Sequence, residues 1–199
     1  MSVPPEYFEG LFANNDDPWA FRTRWYEKRK RDLTLATLQR QHYRRIFEPA
    51  CATGELSVQL AGRCDELVCM DVSARAVALA RARLREHPNV QILQGRLPGD
   101  WPSGQFDLVI LSEVGYFLDQ DDLLQVIEHA TASLDNRGAL LACHWLHPVE
   151  ECPLDGRQVH FLLEHFLHFH RAVTHEEADF LLEYWCRHPC SIDLDEEVS

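Results

Sequence analysis

This chain is poor in positive charge. Among its 199 residues, 19 Lys and Arg stand against 32 Asp and Glu, for a formal net charge of -13. General affinity for nucleic acid or for an anionic membrane requires clustered positive charge, so this composition excludes both as expected partners. The basic cluster in residues 22–31 is a local exception, and we interpret it as the solvated face of a helix.

Long hydrophobic runs are missing as well. No apolar run approaches the roughly 20 residues that a bilayer-spanning helix requires. The N-terminal sequence MSVPPEYFEG is acidic, whereas a secretory signal begins basic and then turns apolar. The seven cysteines are scattered, and their odd number argues against a complete disulfide framework. We therefore expect a reduced, cytoplasmic protein, and the length predicts one globular domain with a real core.

A third absence concerns glycine in residues 45–71. Two apolar runs in this stretch each end in an acid, Glu48 and Asp71, with a run of small residues and a short helical pattern between them. Strand, loop, helix, strand and acid is the layout of a nucleoside-binding βαβ unit, in which the second acid accepts hydrogen bonds from ribose hydroxyls. A dinucleotide fingerprint would require glycines at Ala50 and Ala52, so a pyrophosphate is disfavoured. An ordinary crossover with small residues for packing is the structural alternative.

Strand and helix patterns alternate along the rest of the chain. The clearest buried strand is the nearly continuous apolar run at residues 106–111, as expected for a strand covered on both faces. Two strand-like runs within residues 168–187 form a hairpin. We predict an α/β, Rossmann-like sandwich, with a seven-stranded, mainly parallel sheet, an antiparallel C-terminal hairpin strand and helices on both faces.

The predicted boundaries divide the chain into three segments. Residues 1–15 are expected to be a mobile N-terminal arm, and residues 191–199 an acidic, disordered tail. Residues 16–190 form a single domain between them. Its first part, residues 16–42, is a helical cap that begins at the Asp-Asp-Pro start signal of residues 16–18.

The carboxyl ends of the strands are where such sheets bind ligands. A helix that begins at Asp119 is expected to end at the Asn-Arg-Gly stop signal, residues 136–138, before a fifth strand at residues 139–143. With that assignment, five polar or glycine positions follow predicted strands: Gly54, Asp71, Arg96, Glu113 and His144. We expect them to gather at one rim.

Four motifs extend this interpretation. They are DPW-x-F-x(4)-YE within residues 16–27, E-x-A-x-A-x-G at residues 48–54, FDLVILSEVGYFL at residues 106–118 and HW-x-HP at residues 144–148. Together with Asp71 they resemble the class I S-adenosylmethionine (SAM) methyltransferases, and within them the NodS-like N-methyltransferases of modified chitooligosaccharides. The resemblance covers about residues 14–187 and specifies the superfamily better than the substrate.

The resemblance implies SAM as cofactor, S-adenosylhomocysteine (SAH) as product, and a set of cofactor-binding positions. Those positions are Glu48, Ala50, Cys51, Ala52, Gly54, Asp71, Val72, Arg96, Leu97, Ser112 and Glu113. Asp71 should hold the ribose, and the loop at residues 50–54 should approach the methionine and ribose portions. Two departures from the family pattern stand out. Ala50 and Ala52 replace glycines, and Arg96 replaces an acid, so only backbone contacts are expected from Arg96 and Leu97.

Methyl transfer from a sulfonium is an in-line displacement, so alignment, worth ~7–11 kcal/mol, is the protein's main task. An amine acceptor must also lose a proton. The candidate catalytic residues are Glu113, Tyr116 and His144, and the candidate substrate-binding residues are Trp19, Phe21, Tyr26, Tyr116 and His144. Each has a structural alternative. Glu113 could equally bond the cofactor or cap the following segment. His144 could be a hydrogen-bonded histidine at the rim, and the aromatic residues could pack the cap helix onto the domain.

The alternatives are a zinc site and three rival functions. Cysteine and histidine cluster at Cys143, His144, His147 and Cys152, as zinc favours, but the spacing matches no paired C-x-x-C site and we expect no metal. A non-catalytic, nucleoside-binding or scaffold domain is the main functional rival, motivated by the loop alanines. An NAD enzyme is disfavoured by the missing glycines, and a nucleic-acid methyltransferase by the charge.

The predicted function is transfer of a methyl group from SAM to a small-molecule acceptor, preferably an amine. An amino sugar or oligosaccharide follows from the family resemblance alone. O-methylation and the oligomeric state are left open.

Overall fold

The computed structural model describes residues 1–198. Its strands are, in chain order, β1 Tyr43–Pro49, β2 Cys64–Asp71, β3 Val90–Gln94, β4 Phe106–Ser112, β5 Leu134–Trp145, β6 His170–Glu176 and β7 Phe180–Cys186. Its α-helices are α1 Pro5–Asn14, α2 Trp25–Thr37, α3 Ser57–Ala61, α4 Ala74–Arg83, α5 Gln120–Ser133 and α6 Gly156–Phe166, and a short 3-10 helix covers Gly115–Phe117.

All seven strands lie in one sheet, in the order β3-β2-β1-β4-β5-β7-β6. The strands from β3 to β5 pair in parallel, whereas β7 pairs antiparallel with both β5 and β6. The prediction of an α/β sandwich with a mainly parallel, seven-stranded sheet and an antiparallel C-terminal hairpin is confirmed.

The sheet is covered on both faces because its inner strands are apolar on both sides. Every residue of β7 is buried, and so is every residue of β4 except its last. One apolar cluster packs α5 and α6 against the sheet, and a second packs α3 and α4 against it. The two clusters are the two halves of the core.

The position of β1 between β2 and β4 places a crevice at the carboxyl ends of these strands. The chain order reverses direction across β1, and ligands of open α/β sheets bind at such a reversal point. The loop that follows β1 and the residues that end β2 and β4 therefore meet at one edge of the sheet.

The segment predicted as a mobile arm contains helix α1. Phe12 is 2% exposed, and Phe8 packs edge-on against Phe117 with ring centroids 4.9 Å apart. The Val3 amide donates to the Phe117 carbonyl at 2.8 Å. The prolines at the start of this segment are compatible with a helix, because a proline in the first turn removes an amide that has no helical partner.

The cap helix α2 (Trp25–Thr37) is shorter than predicted and begins later. Asp17 does cap the start of a turn, since its carboxylate accepts hydrogen bonds from the Phe21 and Arg22 amides at 2.8 and 3.1 Å. That turn does not continue as a helix because Ala20 is left-handed, with φ 58°.

The start of β5 also differs from the prediction. The strand begins at Leu134, so the predicted stop signal at residues 136–138 lies inside it. Phe106 pairs with Leu134, and the register then shifts so that Leu108 pairs with Ala139. The stop signal therefore corresponds to an irregularity in the strand pairing rather than to the end of the helix.

A disulfide joins Cys186 to Cys190, which corrects the expectation of a fully reduced chain. The other five cysteines are free thiols. The bonded cysteines are only four positions apart in the sequence, at and just after the end of β7, a local pairing that the odd cysteine count did not reveal.

Residues 191–198 are exposed and lie outside helices and strands. Disorder of the predicted tail, 191–199, stays a prediction, and residue 199 lies outside the described residues. Within residues 1–198, no helix is both long and apolar enough to cross a membrane.

Candidate functional site

A cavity of about 350 Å³ opens where β1, β2 and β4 end, and α1 and α2 complete its walls. It brings together most residues that the sequence predicts for the site. These are Trp19, Phe21, Tyr26, Glu48, Ala50, Cys51, Ala52, Asp71, Val72, Arg96, Leu97, Ser112, Glu113 and Tyr116. Gly54 and His144 do not line it.

The loop after β1 follows a left-handed path. Ala50 has φ 55°, Ala52 φ 47° and Gly54 φ 80°. A left-handed alanine costs roughly 1–2 kcal/mol, so the two alanines are held there by their surroundings. Gly54 faces helix α4 instead of the cavity, because a Cβ at this position would lie 3.0 Å from the Leu84 side chain.

Asp71 ends β2 and is 7% exposed. One carboxylate oxygen accepts the Ala52 amide and the other the Ser73 amide, each at 2.9 Å. Burial raises the pKa of Asp71 to about 6, although these amide hydrogen bonds act in the opposite direction. A carboxylate has roughly four lone-pair sites, so each oxygen can accept a further hydrogen bond from a ligand.

Glu48 lies near the end of β1, beside the same loop, and is 4% exposed. Its carboxylate accepts the Ser57 hydroxyl at 2.6 Å. Burial raises the pKa of Glu48 to about 7, so near neutral pH this side chain is shared between its charged and uncharged forms. Either form offers the loop a polar group.

The loop after β3 offers fewer backbone groups to a ligand than predicted. The Arg96 amide, which was expected to face the ligand, donates to the Asp100 carboxylate at 2.8 Å. The Asp100 amide in turn donates to the Arg96 carbonyl at 2.9 Å. The backbone of Arg96 is therefore used within its own turn, although Gly95, Arg96 and the buried Leu97 all line the cavity here.

A charged cluster closes the other side of the cavity. Glu113 follows β4 with φ 55°, and its two oxygens accept the Lys30 ammonium at 2.8 Å and both the Tyr116 hydroxyl and the Trp145 amide. Lys30 also pairs with Glu27 at 3.1 Å. Burial alone would lower the pKa of Lys30, but the carboxylates of Glu113 and Glu27 outweigh it and raise the pKa. We call Glu27, Lys30, Glu113 and Tyr116 the cavity cluster.

Tyr26 contributes a hydroxyl that is buried and has no hydrogen-bond partner within residues 1–198. Its ring packs edge-on against Trp145 with centroids 5.4 Å apart, and the Lys30 ammonium lies 5.0 Å from its centre. Burial raises the pKa of Tyr26 far above its ordinary value, so the hydroxyl keeps its proton. It is thus a donor available to a bound molecule. Elsewhere in the cavity wall, the rings of Trp19 and Phe21 stack with their centroids 5.4 Å apart.

His144 is a correction to the predicted site, because it is fully buried and outside the cavity wall. Its Nε2 accepts the Gly115 amide at 3.1 Å, which requires that its proton sit on Nδ1. That proton is donated to His160 Nε2 at 3.1 Å, and His160 Nδ1 donates to Glu183 at 2.7 Å. We call His144, His160 and Glu183 the core chain. Burial lowers the pKa of His144 far below its ordinary value, as this neutral form requires.

Sequence reasoning missed several cavity residues on α2. The interpretation of residues 22–31 as a solvated face fails for Lys30, which is 5% exposed, and for Arg31, which lines the cavity. The signal was present, since Tyr26, Lys30 and Thr34 follow one another at i, i+4 and i+8 on one helical face. Polar residues at that spacing are compatible with a helix face that lines a cavity as well as with one that faces solvent.

Among residues 1–198, no three or more His, Cys, Asp or Glu side chains are grouped so that they could hold a metal ion. The predicted cluster is dispersed. Cys143 is buried in β5, and His147 pairs with Asp179 at 2.8 Å.

Comparisons with known proteins are consistent across sequence and structure. A family model described as a methyltransferase domain matches residues 46–138. Nodulation protein S from Sinorhizobium fredii is 26% identical over 120 residues, 60% of this chain and 56% of that protein. The chain spans about half the length of the curated relatives it matches.

Two solved structures extend the likeness. A Pseudomonas syringae protein provisionally designated a methyltransferase is 53% identical, with a TM-score of 0.75 over 82% of this chain and 100% of that chain. The N-methyltransferase NodS from Bradyrhizobium japonicum, solved with SAH, is 22% identical, with a TM-score of 0.81 over 91% of this chain and 96% of that chain. At that identity the second structure shows the fold.

Proposed function

We propose that this chain, which belongs to the class I SAM-dependent methyltransferases and to their NodS-like group, transfers a methyl group from SAM to a small-molecule amine. The NodS-like resemblance favours an amine on an amino sugar or oligosaccharide as the acceptor. We also propose a cytoplasmic location, supported by five free thiols and opposed by the single disulfide.

The observation that carries the proposal is backbone strain at the cavity. Three non-glycine residues of the cavity wall, Ala50, Ala52 and Glu113, have φ between 47° and 55°. Such conformations cost of order 1–3 kcal/mol each and collect at ligand-binding and catalytic sites. Here they bring the loop after β1 and the end of β4 against one space, which supports a bound ligand between them.

The wall fits the parts of SAM. Asp71 has unused capacity on both oxygens for the two ribose hydroxyls. Val72 and Leu97 offer apolar surface beside it for the adenine. The small side chains of Ala50 and Ala52 leave the backbone open to the methionine portion, so the alanines that motivated the scaffold alternative are compatible with binding.

When bound, SAM would supply a methyl group on a sulfonium sulfur: the lone pair of an acceptor nitrogen would form the new N–C bond as the C–S bond breaks, with its electron pair going to the sulfur of the departing SAH. The protein's own residues would hold the acceptor and manage its proton. An amine enters as an ammonium and must lose a proton before its lone pair is free. We assign that proton to the Glu113 carboxylate, reached directly or through the Tyr116 hydroxyl that donates to it.

The remaining cluster residues position these groups. Lys30 is bonded to Glu113 at 2.8 Å and fixes one of its oxygens. The Tyr26 hydroxyl, lacking a protein partner, would bond the acceptor. His144 is withdrawn from the catalytic and substrate-binding roles, because both of its ring nitrogens are used within the core chain.

Calorimetric titration of the protein with SAH tests the proposal. Asp71→Ala should weaken SAH binding about tenfold to a hundredfold, since a hydrogen bond to a charged group is worth roughly 1.5–3 kcal/mol. Asp65→Ala is the matched control, because Asp65 lies exposed at the opposite end of the same strand and should leave the affinity unchanged.

An acceptor screen with labelled SAM then follows on the wild-type protein. Transfer to amines and loss of that transfer in Glu113→Gln would support the assignment. A wild-type protein that binds no SAH would contradict the proposal. SAH binding without transfer to any amine or hydroxyl compound would favour the nucleoside-binding scaffold.

A further inference from the structure

Three consecutive residues at the end of β5 hold the turn that follows β4. The Cys143 carbonyl accepts the Glu113 amide at 2.8 Å, and the Trp145 amide donates to the Glu113 carboxylate at 3.1 Å. Between them, His144 Nε2 accepts the Gly115 amide at 3.1 Å. Of these three contacts, the one from His144 is the one that β5 makes with a side chain, so a substitution can remove it.

The turn sits directly on the His144 imidazole. Gly115 begins the short 3-10 helix after β4, and Glu113 just before it has a left-handed φ of 55°. A Cβ at position 115 would lie 3.0 Å from His144 Nε2 and 2.5 Å from the Val159 side chain, so this close approach requires glycine. The Tyr116 ring packs edge-on against the same imidazole, with ring centroids 5.6 Å apart.

The far end of the core chain determines which nitrogen of His144 accepts. The Glu183 carboxylate accepts Arg171 at 2.9 Å on one oxygen and His160 Nδ1 at 2.7 Å on the other. Burial raises the pKa of Glu183, but His160 and Arg171 outweigh it and lower the pKa, so the carboxylate stays ionised and can only accept. A neutral His160 that donates from Nδ1 accepts at Nε2. His144 therefore donates from Nδ1 and keeps its Nε2 lone pair for Gly115.

We propose that the core chain positions the group that takes the acceptor's proton: through the Gly115 amide, His144 holds the Tyr116 hydroxyl on the Glu113 carboxylate. This inference rests on the proposed function, in which Glu113 receives that proton. His144 does not line the cavity, so it is a positioning residue and not a catalytic one. A misplacement of about 1 Å in the groups that react can cost on the order of a hundredfold in rate.

The first test separates turnover from binding. Transfer from labelled SAM to glucosamine, as an amino-sugar probe, gives kcat and the KM for SAM, and calorimetry gives the affinity for SAH. His144→Leu should lower kcat about tenfold to a hundredfold, while the KM for SAM and the SAH affinity stay within about twofold. His144→Gln should recover most of kcat, because its amide carries both an acceptor for Gly115 and a donor for His160.

Tyr184→Phe is the matched control. It also removes a buried hydrogen bond, the one to the Tyr43 hydroxyl at the opposite end of β1 from the cavity, and should leave kcat unchanged. Equal losses of kcat in Tyr184→Phe and His144→Leu would overturn the inference, because lost stability would then explain both. Wild-type kcat in His144→Leu would overturn it as well, and so would a kcat in His144→Gln as low as in His144→Leu.

Crystal structures of the wild-type protein and of His144→Leu test the inference without an acceptor. In the variant, the turn after β4 should be displaced and the Tyr116 hydroxyl should leave Glu113, whereas the loop after β1 should keep its path. A Tyr116 hydroxyl that stays on Glu113 in His144→Leu would overturn the inference. If the wild-type protein transfers no methyl group to glucosamine, the amino-sugar acceptor fails, and the two structures still decide whether His144 positions this pair.

Discussion

The cavity cluster and the core chain are both buried, hydrogen-bonded sets of ionisable side chains, yet they are built differently. Every ring nitrogen of the core chain has a partner, and the directions of its hydrogen bonds follow from a single amide, that of Gly115. The cavity cluster borders open space and has the unpartnered Tyr26 hydroxyl beside it. It is also anchored on a strained residue, Glu113.

This difference separates a polar network that is structural from one that can bind a ligand. A fully satisfied polar network offers nothing to a ligand and contributes to a unique packing of the core. A network with spare donors beside a cavity is incomplete until a ligand binds. His144, which the sequence analysis proposed for the site, belongs to the satisfied network. Lys30, which the sequence analysis interpreted as part of a solvated face, belongs to the network beside the cavity.

The largest effect is expected from removing the cation of the cavity cluster. Lys30→Met leaves the carboxylates of Glu27 and Glu113 without their buried cation, and breaking a buried ion pair in this way typically costs about 3–5 kcal/mol. Chemical denaturation should show that loss in the free energy of unfolding.

Arg29→Met is the control for that experiment. Arg29 neighbours Lys30 on the same helix, but its ion pair with Glu177 is partly exposed, with side chains 42% and 26% accessible. Solvent screens a pair of this kind, so its loss should change the free energy of unfolding far less than the loss of Lys30. Equal losses in the two variants would mean that the cavity cluster is energetically no different from a surface pair.

A smaller loss of stability is expected in the core chain. His144→Leu leaves the Gly115 amide and the Nε2 atom of His160 without a partner, at a cost of about 2–4 kcal/mol in the free energy of unfolding. SAH affinity should stay within about twofold of wild type. His147→Leu is the control, because His147 forms an exposed pair with Asp179 and should cost ~0.5 kcal/mol or less.

The same variant has a pH signature. His144 is held neutral in the folded protein, so the unfolded chain takes up its proton first as the pH falls below about 6.5. Because of this group, the free energy of unfolding of the wild-type protein should fall with acid by up to about 1.4 kcal/mol per pH unit, and His144→Leu should lack that contribution.

If His144→Leu instead lost SAH binding without losing stability, His144 would act in the ligand site and not in the core.

The smallest effect tests the strain in the loop. Ala52→Gly relieves a left-handed alanine and should raise the free energy of unfolding by about 0.5–1 kcal/mol after the extra backbone entropy of glycine is subtracted. Ala78→Gly, in the exposed face of α4, should lower it by a similar amount. A loss in both variants would mean that the loop is not strained.

Much of the fold could be predicted because its signals are local. The buried strand Phe106–Ser112 is a nearly continuous apolar run, and the predicted helix start at Asp119 carries its own cap, which the structure contains. The errors occurred where tertiary contacts override local signals. Phe8 and Phe12 order α1 by packing, and Ala20 ends a turn that its cap residue had started.

For the site, the sequence alone was sufficient to predict the loop after β1 and the acid at the end of β2, because strand ends and small residues are local features of the chain. It was also sufficient to identify the family, because each motif is a continuous stretch of sequence. That Lys30 and Arg31 face the cavity and that His144 does not is apparent only in the tertiary structure. Those outcomes depend on how α2 and α6 pack against the sheet, and burial and hydrogen-bond partners from distant segments cannot be read from local spacing.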